Sequence, residues 1–390
     1  MRRYEETHPW LTFEARRLNQ VNARHWMLAG EAKSKCQHLA GTPLKPEVAK
    51  DLYTVTLVKG ALATTAIEGN TLTEAQAMGI LKGTYKAPPS RQYQEQEVRN
   101  LLNALDGLEA MVVHGDNIKI TKDLICEFNR QVLKGTGDDP DAVPGQIRTH
   151  SVVVGNYRGA PAEDCTYLLD RLAQWLEGPT FQNEDPEIQF ALTLAKAIYA
   201  HLYLAWIHPF GDGNGRTARL IEFAILANCG FVPMPAAHLL SNHYNLTRDR
   251  YYRELARASE MRDALGFLAY AIEGFVDGIR EVIAMVRDQQ VQIAWINYVH
   301  EVFHEEANSK ASDRQRELVL ALPMWEPVRR AELTGLTPKL ARLFATAGPR
   351  TLSRDLNHLQ KLGLITRGGG TILARTDKIL AFRPPIAQPE

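Results

Sequence analysis

Apolar positions recur at helical spacing through most of the chain, and the breaks between them set the elements. From residue 1 to about 110, charged and apolar positions alternate with that period, and the first punctuation is Gly41-Thr42-Pro43-Leu44-Lys45-Pro46. Val48 to Ile67 has the pattern of a mostly buried helix. It should end at Glu68-Gly69-Asn70, where Gly69 suits a C-terminal cap. Thr71-Leu72-Thr73-Glu74 has capping-box spacing and predicts the start of another helix. Between Ala87 and Arg148 helices alternate with loops, the longest being Gly135 to Asp141.

The period changes after Pro144. A β-branched run ending at Val152-Val153-Val154-Gly155, followed by Gly159-Ala160-Pro161, predicts a hairpin. Helical patterning returns over Ala162 to Leu176, over Ile188 to Ile207, and again from Leu265 to about Phe303. Residues 312–384 read differently: a helix (Asp313 to Leu322), a short helix (Arg329 to Thr334), a Leu336 to Pro349 segment and a helix from Thr351 to Leu362 stopped by Gly363. Two strands, residues 364–367 and 371–374, then flank a glycine turn. In the third helix Leu352, Leu356, Leu359 and Leu362 form the apolar stripe.

Composition changes this picture in two places. Net charge is zero over the chain's 390 residues, yet 312–384 holds 13 Lys and Arg against 6 Asp and Glu, so that segment alone is strongly basic. The four cysteines are scattered without metal-ligand spacing and fit the reduced thiols of a cytosolic protein. No apolar signal core opens the sequence and no unbroken run of eighteen apolar residues occurs, so the expectation is a cytoplasmic protein without a membrane partner.

The densest chemistry lies at His208-Pro209-Phe210-Gly211-Asp212-Gly213-Asn214-Gly215-Arg216-Thr217-Ala218-Arg219, between two apolar runs. The spacing predicts helix, tight loop, helix. Glycines 211, 213 and 215 let the backbone turn sharply and bring its amides close to a ligand, at a helix N-terminus suited to an anion. Arg216 and Arg219 share a helix face, and a guanidinium offers phosphate two parallel donors. Asp212 suits a magnesium ion, which takes only one or two protein carboxylates beside phosphate oxygens. His208, in front of helix-breaking Pro209, could accept a hydroxyl proton, whereas Phe210 reads as a core anchor. His201, two turns earlier, reads as structural.

At every defining position this segment is similar to the HxFx(D/E)GNGRxxR signature of Fic-domain proteins. The resemblance covers about the first three hundred residues. It implies that a protein Ser, Thr or Tyr hydroxyl, deprotonated by His208, attacks the α-phosphate of ATP and takes up AMP. It makes Asp212 the Mg2+ ligand, Gly211, Gly213, Asn214 and Gly215 the phosphate cradle, and Arg216 and Arg219 the β- and γ-phosphate contacts. Thr64 to Asn70 resembles the family's (S/T)xxxE(G/N) inhibitory motif, with Thr64, Glu68, Gly69 and Asn70 at its positions. Glu68 would then take the place of the γ-phosphate on Arg219. The same glutamate can orient a water that removes AMP.

The resemblance further implies that Val152, Val153, Val154 and Gly155 belong to a flap that pairs with the target, that Tyr252 and Ser259 contact adenine, and that the protein is a homodimer. Ordinary core tyrosines are the alternative at 251 and 252. The 312–384 segment is similar to winged helix-turn-helix domains; Arg350, Ser353, Arg354, Asn357, His358 and Arg367 are its candidate DNA contacts.

The expected fold is mainly α: a Fic-type helical bundle with a β-hairpin flap, plus a small α+β winged helix. Its parts are residues 1–110 with the inhibitory helix, 111–304 as catalytic core and 312–384. The expected activity is auto-inhibited AMP transfer from Mg-ATP to a target protein. A nucleotide-sensing DNA-binding regulator is the alternative.

Overall fold

A computed structural model describes residues 2–15, 20–136, 140–155, 157–306, 309–348 and 350–380. The expected loop residues 137–139, the hairpin residue Asn156, Pro349 and the end of the basic segment at 381–384 lie outside them. The chain divides into two compact units, residues 1–283 and 284–390.

Helices make up the first unit, which is the main expectation for this chain. They are α1 (Arg3–Thr7), α2 (Ala23–Ala40), α3 (Pro46–Ile67), α4 (Glu74–Leu81), α5 (Gln92–His114) and α6 (Lys122–Val132), then, after a short hairpin, α7 (Ala162–Glu177), α8 (Pro186–Ile207), α9 (Asn214–Ala227), α10 (Leu239–Leu246), α11 (Arg248–Glu260) and the first half of the long α12 (Leu265–His304), whose residues from 284 onward belong to the second unit. Strands β1 (Val153–Val154) and β2 (Tyr157–Arg158) form the hairpin, antiparallel with Val153 opposite Arg158.

α8 and α9 are the centre of this unit, packed on each other and flanked by α2, α6 and α7. α8 is apolar on all sides, and by length and composition it could cross a membrane. Its apolar window is 78% buried by the other helices, which makes it a core helix. Its start is fixed by Asp185, which accepts from the amides of Glu187 and Ile188, with Pro186 in the first turn.

α3 lies against α10, α5, α4 and α9, so its C-terminal end is brought to α9. The close approach depends on Gly60: a Cβ there would run into the imidazole of His238, which stacks on Phe223 of α9. At the end of α3, Gly69 takes φ +99°, and the Asn70 amide turns back to the carbonyl of Thr65. The next cap differs from the sequence expectation. Thr73 accepts from the Gln76 amide, and the Gln76 side chain accepts from the Thr73 amide, so the capping box is Thr73/Gln76, two residues later than the 71–74 spacing suggested.

In the second unit α13 (Lys310–Leu320), α14 (Pro338–Ala345) and α15 (Thr351–Lys361) pack with β3 (Val328–Arg329), β4 (Ile365–Gly368) and β5 (Thr371–Ala374). The sheet order is β3-β5-β4, antiparallel throughout. Leu318, Leu340, Leu356, Leu359, Leu364 and Ile372 share one buried core with Trp295, Val299 and Phe303 of α12. The short helix expected over Arg329 to Thr334 is absent: Arg329 ends strand β3, residues 330–332 turn, and Leu333–Gly335 form a single 3-10 turn. β-branched Val328 is buried beside Ile372, and that burial on a sheet face decides for strand.

Because Gly60 seats α3, Gly60→Val should lower stability by about 1–3 kcal/mol in thermal or denaturant unfolding. Gly107→Ala, in α5 with no atom within 4 Å of the new Cβ, should leave it unchanged or raise it by up to about 1 kcal/mol. Equal effects at both sites would contradict this account of α3.

Candidate active site

The loop between α8 and α9 is shaped by residues far away in sequence. His208 ends α8 in the left-handed region at φ 49°, ψ 60°, an unusual conformation for a residue with a side chain. Buried Arg148 holds it there. Its Nε donates to the His208 carbonyl at 2.7 Å, and its two Nη groups donate to the carbonyls of His150 and Ala160, both at 2.5 Å. The Arg148 amide binds Pro209, so one residue joins the stem of the hairpin to the start of the loop.

Further on, a Cβ at Gly211 would overlap the main chain of Asp141, and Gly213 takes φ +76°. These are the two positions where the turn requires glycine. Asn214 is buried and closes the loop on itself: its Oδ1 accepts from the Phe210 amide at 3.0 Å and its Nδ2 donates to the Phe210 carbonyl at 2.8 Å. The amide side chain expected on a phosphate is therefore committed to the loop, and what Asn214 offers a ligand is its backbone N–H. Asn129 of α6 adds a second clamp, donating to the Asp212 carbonyl and to Thr217 and accepting from the Gly145 amide. Phe210 is buried as expected.

Each arginine of the loop faces carboxylates. Arg219, 1% exposed, donates from Nη2 to Glu68 Oε1 at 2.5 Å and to the Thr64 carbonyl at 2.9 Å. The end of α3 thus meets α9 through one guanidinium, and Thr64 contributes its backbone oxygen. Gly215 makes room for this, since a Cβ there would collide with the Glu68 carboxylate. Burial pushes the Glu68 carboxyl up, but the charge and hydrogen bond of Arg219 outweigh it and hold Glu68 below the usual carboxylate range.

Arg216 lies between Glu97 of α5 and Asp212, 2.8 Å from each. Asn70 donates to the Gln94 carbonyl and to Glu97, so the residue after the α3 cap is tied to the Arg216 cluster. Glu97 is held above the usual range, first by burial and then by the like charges of Asp212 and Glu68, against the pull of Arg216.

A cavity of about 570 Å3 opens onto these groups. Glu68, His208 and Gly215 line it, with Val154 and Gly155 of the hairpin and Tyr251, Tyr252 and Ser259 of α11. Val153 and Val154 are half exposed, and the Val152 carbonyl accepts from the Gly159 amide below the strands. Tyr252 and Ser259 both reach the cavity, each with its hydroxyl engaged: Tyr252 donates to the Ile67 carbonyl at 3.1 Å, and Ser259 to Ala256 within its own helix. Tyr252 therefore also clasps the end of α3.

His208 is the histidine that lines this cavity. Its Nδ1 faces the Ala205 carbonyl at 3.4 Å, which favours the proton on that nitrogen and leaves Nε2 without one. Burial lowers its pKa to about 4, and the Arg148 charge adds to that.

In the second unit α15 carries Ser353, Arg354, Asn357 and His358 behind Arg350. Ser353 accepts from Arg330 at 2.6 Å, Asn357 from Arg367 at 2.9 Å, and His358 lies 3.3 Å from Glu306.

With this geometry in view, residues 119–226 match the model of the Fic/DOC family, and the chain carries a Fic domain. The "Protein adenylyltransferase fic-1" of Caenorhabditis briggsae is 32% identical over 229 residues, 57% of this chain and 41% of that protein. The "Protein adenylyltransferase Fic" of Nematostella vectensis is 31% identical over 214 residues, 54% and 46% of the two chains. This chain thus spans less than half the length of these curated relatives. Among solved structures, Fic-1 of Caenorhabditis elegans superposes with a TM-score of 0.53 at 26% identity, over 69% of this chain and 73% of that one. A Fic family protein from Desulfovibrio desulfuricans gives 0.55 at 21%, over 90% and 94%, a likeness of fold.

Since the folded protein keeps His208 neutral, its imidazole should titrate near pH 4 in 1H–13C NMR, below the ordinary 6.5. The group stays neutral at and above pH 6 and gains its proton only as the pH falls through about 4. A midpoint at 6 or higher would contradict the burial argument.

Proposed function

We propose that this protein transfers AMP from ATP to a hydroxyl of a target protein and that Glu68 holds the activity down in cis. The observation that carries the reading is the Glu68–Arg219 pair at 2.5 Å inside the cavity that also exposes His208. His208 Nε2 takes the target's hydroxyl proton while that oxygen attacks the α-phosphorus. The bond from phosphorus to the bridging α–β oxygen breaks, and pyrophosphate leaves. The loop amides and Arg216 hold the phosphates, and Tyr252 and Ser259 line the space for adenine. Val153 and Val154 present an open strand edge, which a target segment joins by main-chain hydrogen bonds.

Among the described residues no group of three or more His, Cys, Asp or Glu forms a metal cage. Asp212 fits magnesium in the other way, as a single, largely exposed carboxylate beside the phosphate cradle. The ion supplies charge neutralisation there when bound. Water oriented by Glu68 would run the removal of AMP, and a second copy of the chain belongs to the same reading.

Glu68 blocks because Arg219 cannot serve it and a terminal phosphate at once. A hydrogen bond to a charged group is worth about 1.5–3 kcal/mol, so the pair should suppress transfer roughly ten- to a hundredfold. With [α-32P]ATP, Glu68→Gly should label itself or a lysate protein that much more strongly than wild type, and Glu68→Gly/His208→Ala should show no labelling. Absence of labelling in Glu68→Gly, with ATP bound and no loss of AMP from a premodified target, would favour the nucleotide-sensing regulator.

A second reading concerns the other unit, which we take as a winged helix that contacts DNA. The observation favouring it is an arginine pair without a counter-ion. Val328, Ile372 and Arg367 stand in one cross-strand row, and Arg330, just past the end of β3, donates its amide to the Gly370 carbonyl. Both reach α15 and bind only neutral side chains, Ser353 and Asn357, one helical turn apart. Arg367 Nε and Nη2 are buried with no hydrogen-bond partner, and among the described residues neither arginine forms an ion pair. Burial and then the Arg330 charge lower the Arg367 pKa, the condition a phosphodiester oxygen would relieve. In anisotropy with labelled duplex DNA, Arg330→Gln/Arg367→Gln should reduce the slope of log K against log salt by about 2, one per phosphate contact. An unchanged slope would remove these two from the interface, and absence of binding by wild type would end the reading.

A further inference from the structure

The hairpin has two edges, and they differ in what lies against them. Gly159 donates its amide to the Val152 carbonyl at 3.1 Å, so residues 152 and 159 form a hydrogen-bonded pair of the antiparallel ladder. The next pair, Val153 opposite Arg158, is then a non-hydrogen-bonded one, and each of the two turns its N–H and C=O outward, Val153 to one side of the hairpin and Arg158 to the other. On the β1 side Val153 is 52% exposed, and among the described residues neither of its outward groups has a hydrogen-bond partner. On the β2 side the outward carbonyl of Arg158 is 2.9 Å from Nε2 of His8.

His8 arrives there on a segment that no step of the proposed reaction uses. Burial lowers the pKa of its imidazole, so the ring is neutral with a single proton. A carbonyl only accepts, which places that proton on Nε2, and Nδ1 is left to accept, with the Thr7 hydroxyl 2.8 Å away. The residue is 5% exposed, and its ring stands edge-on to Tyr157 of β2. The segment is tied down on both sides of His8. Before it, buried Asp164 of α7 accepts from the Tyr4 amide at 2.8 Å and from Arg2 at 3.2 Å. After it, Phe13 packs its ring against Trp175 of α7 and Tyr203 of α8.

The other side of β2 is bound to the end of α8. The Tyr157 hydroxyl donates to the Trp206 carbonyl at 2.7 Å, and the Ala160 amide donates to the Ile207 carbonyl at 3.2 Å. Between them Gly159 passes so near His208 that a Cβ there would lie 2.8 Å from the histidine's own Cβ. A two-stranded hairpin by itself is at best marginally stable in water, so this one keeps its place through such contacts. β2 is clamped between His8 and α8, and whatever pairs with β1 is placed relative to His208 through it.

We infer that His8 closes the outer edge of β2 and pins the hairpin, leaving Val153 as the position where a target segment adds its strand. An edge with its outward groups unpaired is a template for another chain, and an edge already occupied is not. His8 is then a positioning residue, which acts on transfer to a protein and leaves nucleotide binding alone. The inference rests on the proposed AMP transfer and its use of the hairpin.

Two measurements on the full chain test it. In hydrogen exchange followed by NMR, His8→Phe, which keeps an aromatic ring and removes the donor, should speed exchange of the Gly159 and Ala160 amides roughly three- to tenfold. His8→Gln, whose side-chain amide offers a donor near the place of Nε2, should restore most of the protection. In the Glu68→Gly background with [α-32P]ATP, His8→Phe should lower the labelling of lysate proteins by a similar factor. Val153→Pro, which removes the outward N–H and no ladder bond, should lower it further, and the ATP affinity of both variants by calorimetry should equal that of their parent. Unchanged exchange in His8→Phe, or equal loss of protection in His8→Gln, would overturn the pin, and full labelling by Val153→Pro would overturn the choice of edge. ATP binding weakened along with labelling would assign His8 to general packing and overturn its positioning role. Labelling by no variant, the Glu68→Gly parent included, would end the AMP-transfer reading and this use of the edge with it, whatever the exchange shows.

Discussion

The ion pair between Glu68 and Arg219 is the constraint around which the first unit is arranged. A guanidinium 1% exposed cannot stand alone, because removing one partner of a buried pair costs about 3–5 kcal/mol. The cavity can therefore change occupant but cannot be left without an anion. Gly215 gives the carboxylate its room, and Gly60 brings α3 close enough to deliver it. Tyr252 secures the last carbonyl of the helix. In the proposed reading, an inhibitor built this way needs no second conformation of α9; it needs only a competitor with more negative charge.

Arg216 repeats the arrangement in a looser form. Glu97 and Asp212 hold it from two sides, and Glu97 is kept above the usual carboxylate range by burial. Three carboxylates thus crowd two arginines around one loop, and Asn70 links the two pairs by joining the end of α3 to Glu97. A polyphosphate that displaces Glu68 also meets Asp212, whose charge opposes it. This is the electrostatic reason for a divalent cation at that position in the proposed reading.

What could be read from the chain was what is local. The buried helix ending at Glu68, the glycine loop and the neighbouring arginines all announce themselves within a few residues, through period, φ requirement and charge. Arg148, Glu97 and Asn129 do not. They lie between 60 and 119 residues from the loop they hold, and nothing in their own neighbourhoods marks them, because their partners are backbone carbonyls or side chains brought close only by packing. Strand β3 was missed for a related reason: a two-residue strand has no period of its own, and its identity comes from the sheet it joins. The capping box moved by two residues because 71–74 and 73–76 both satisfy a spacing rule, and the turn at Gly69 and Asn70 chose between them.

His208 shows how the two kinds of information meet. The sequence supplies a histidine ahead of a proline; the fold places it in a left-handed conformation, pins its carbonyl to Arg148 and lowers its pKa to about 4. As the base of the proposed reaction, so weak an imidazole is poorly matched to work near neutral pH, where catalysis favours a group titrating close to the ambient value. The carboxylates of Glu68 and Asp212 already push the imidazole upward against burial and Arg148. In the proposed reaction a triphosphate brings more negative charge to the same loop than the single carboxylate it displaces, so it moves His208 further in that direction. The nucleotide that removes the block would thereby also strengthen the base, and a site occupied by Glu68 would be inhibited twice: once at Arg219 by competition, and once at His208 by leaving the imidazole too weak a base.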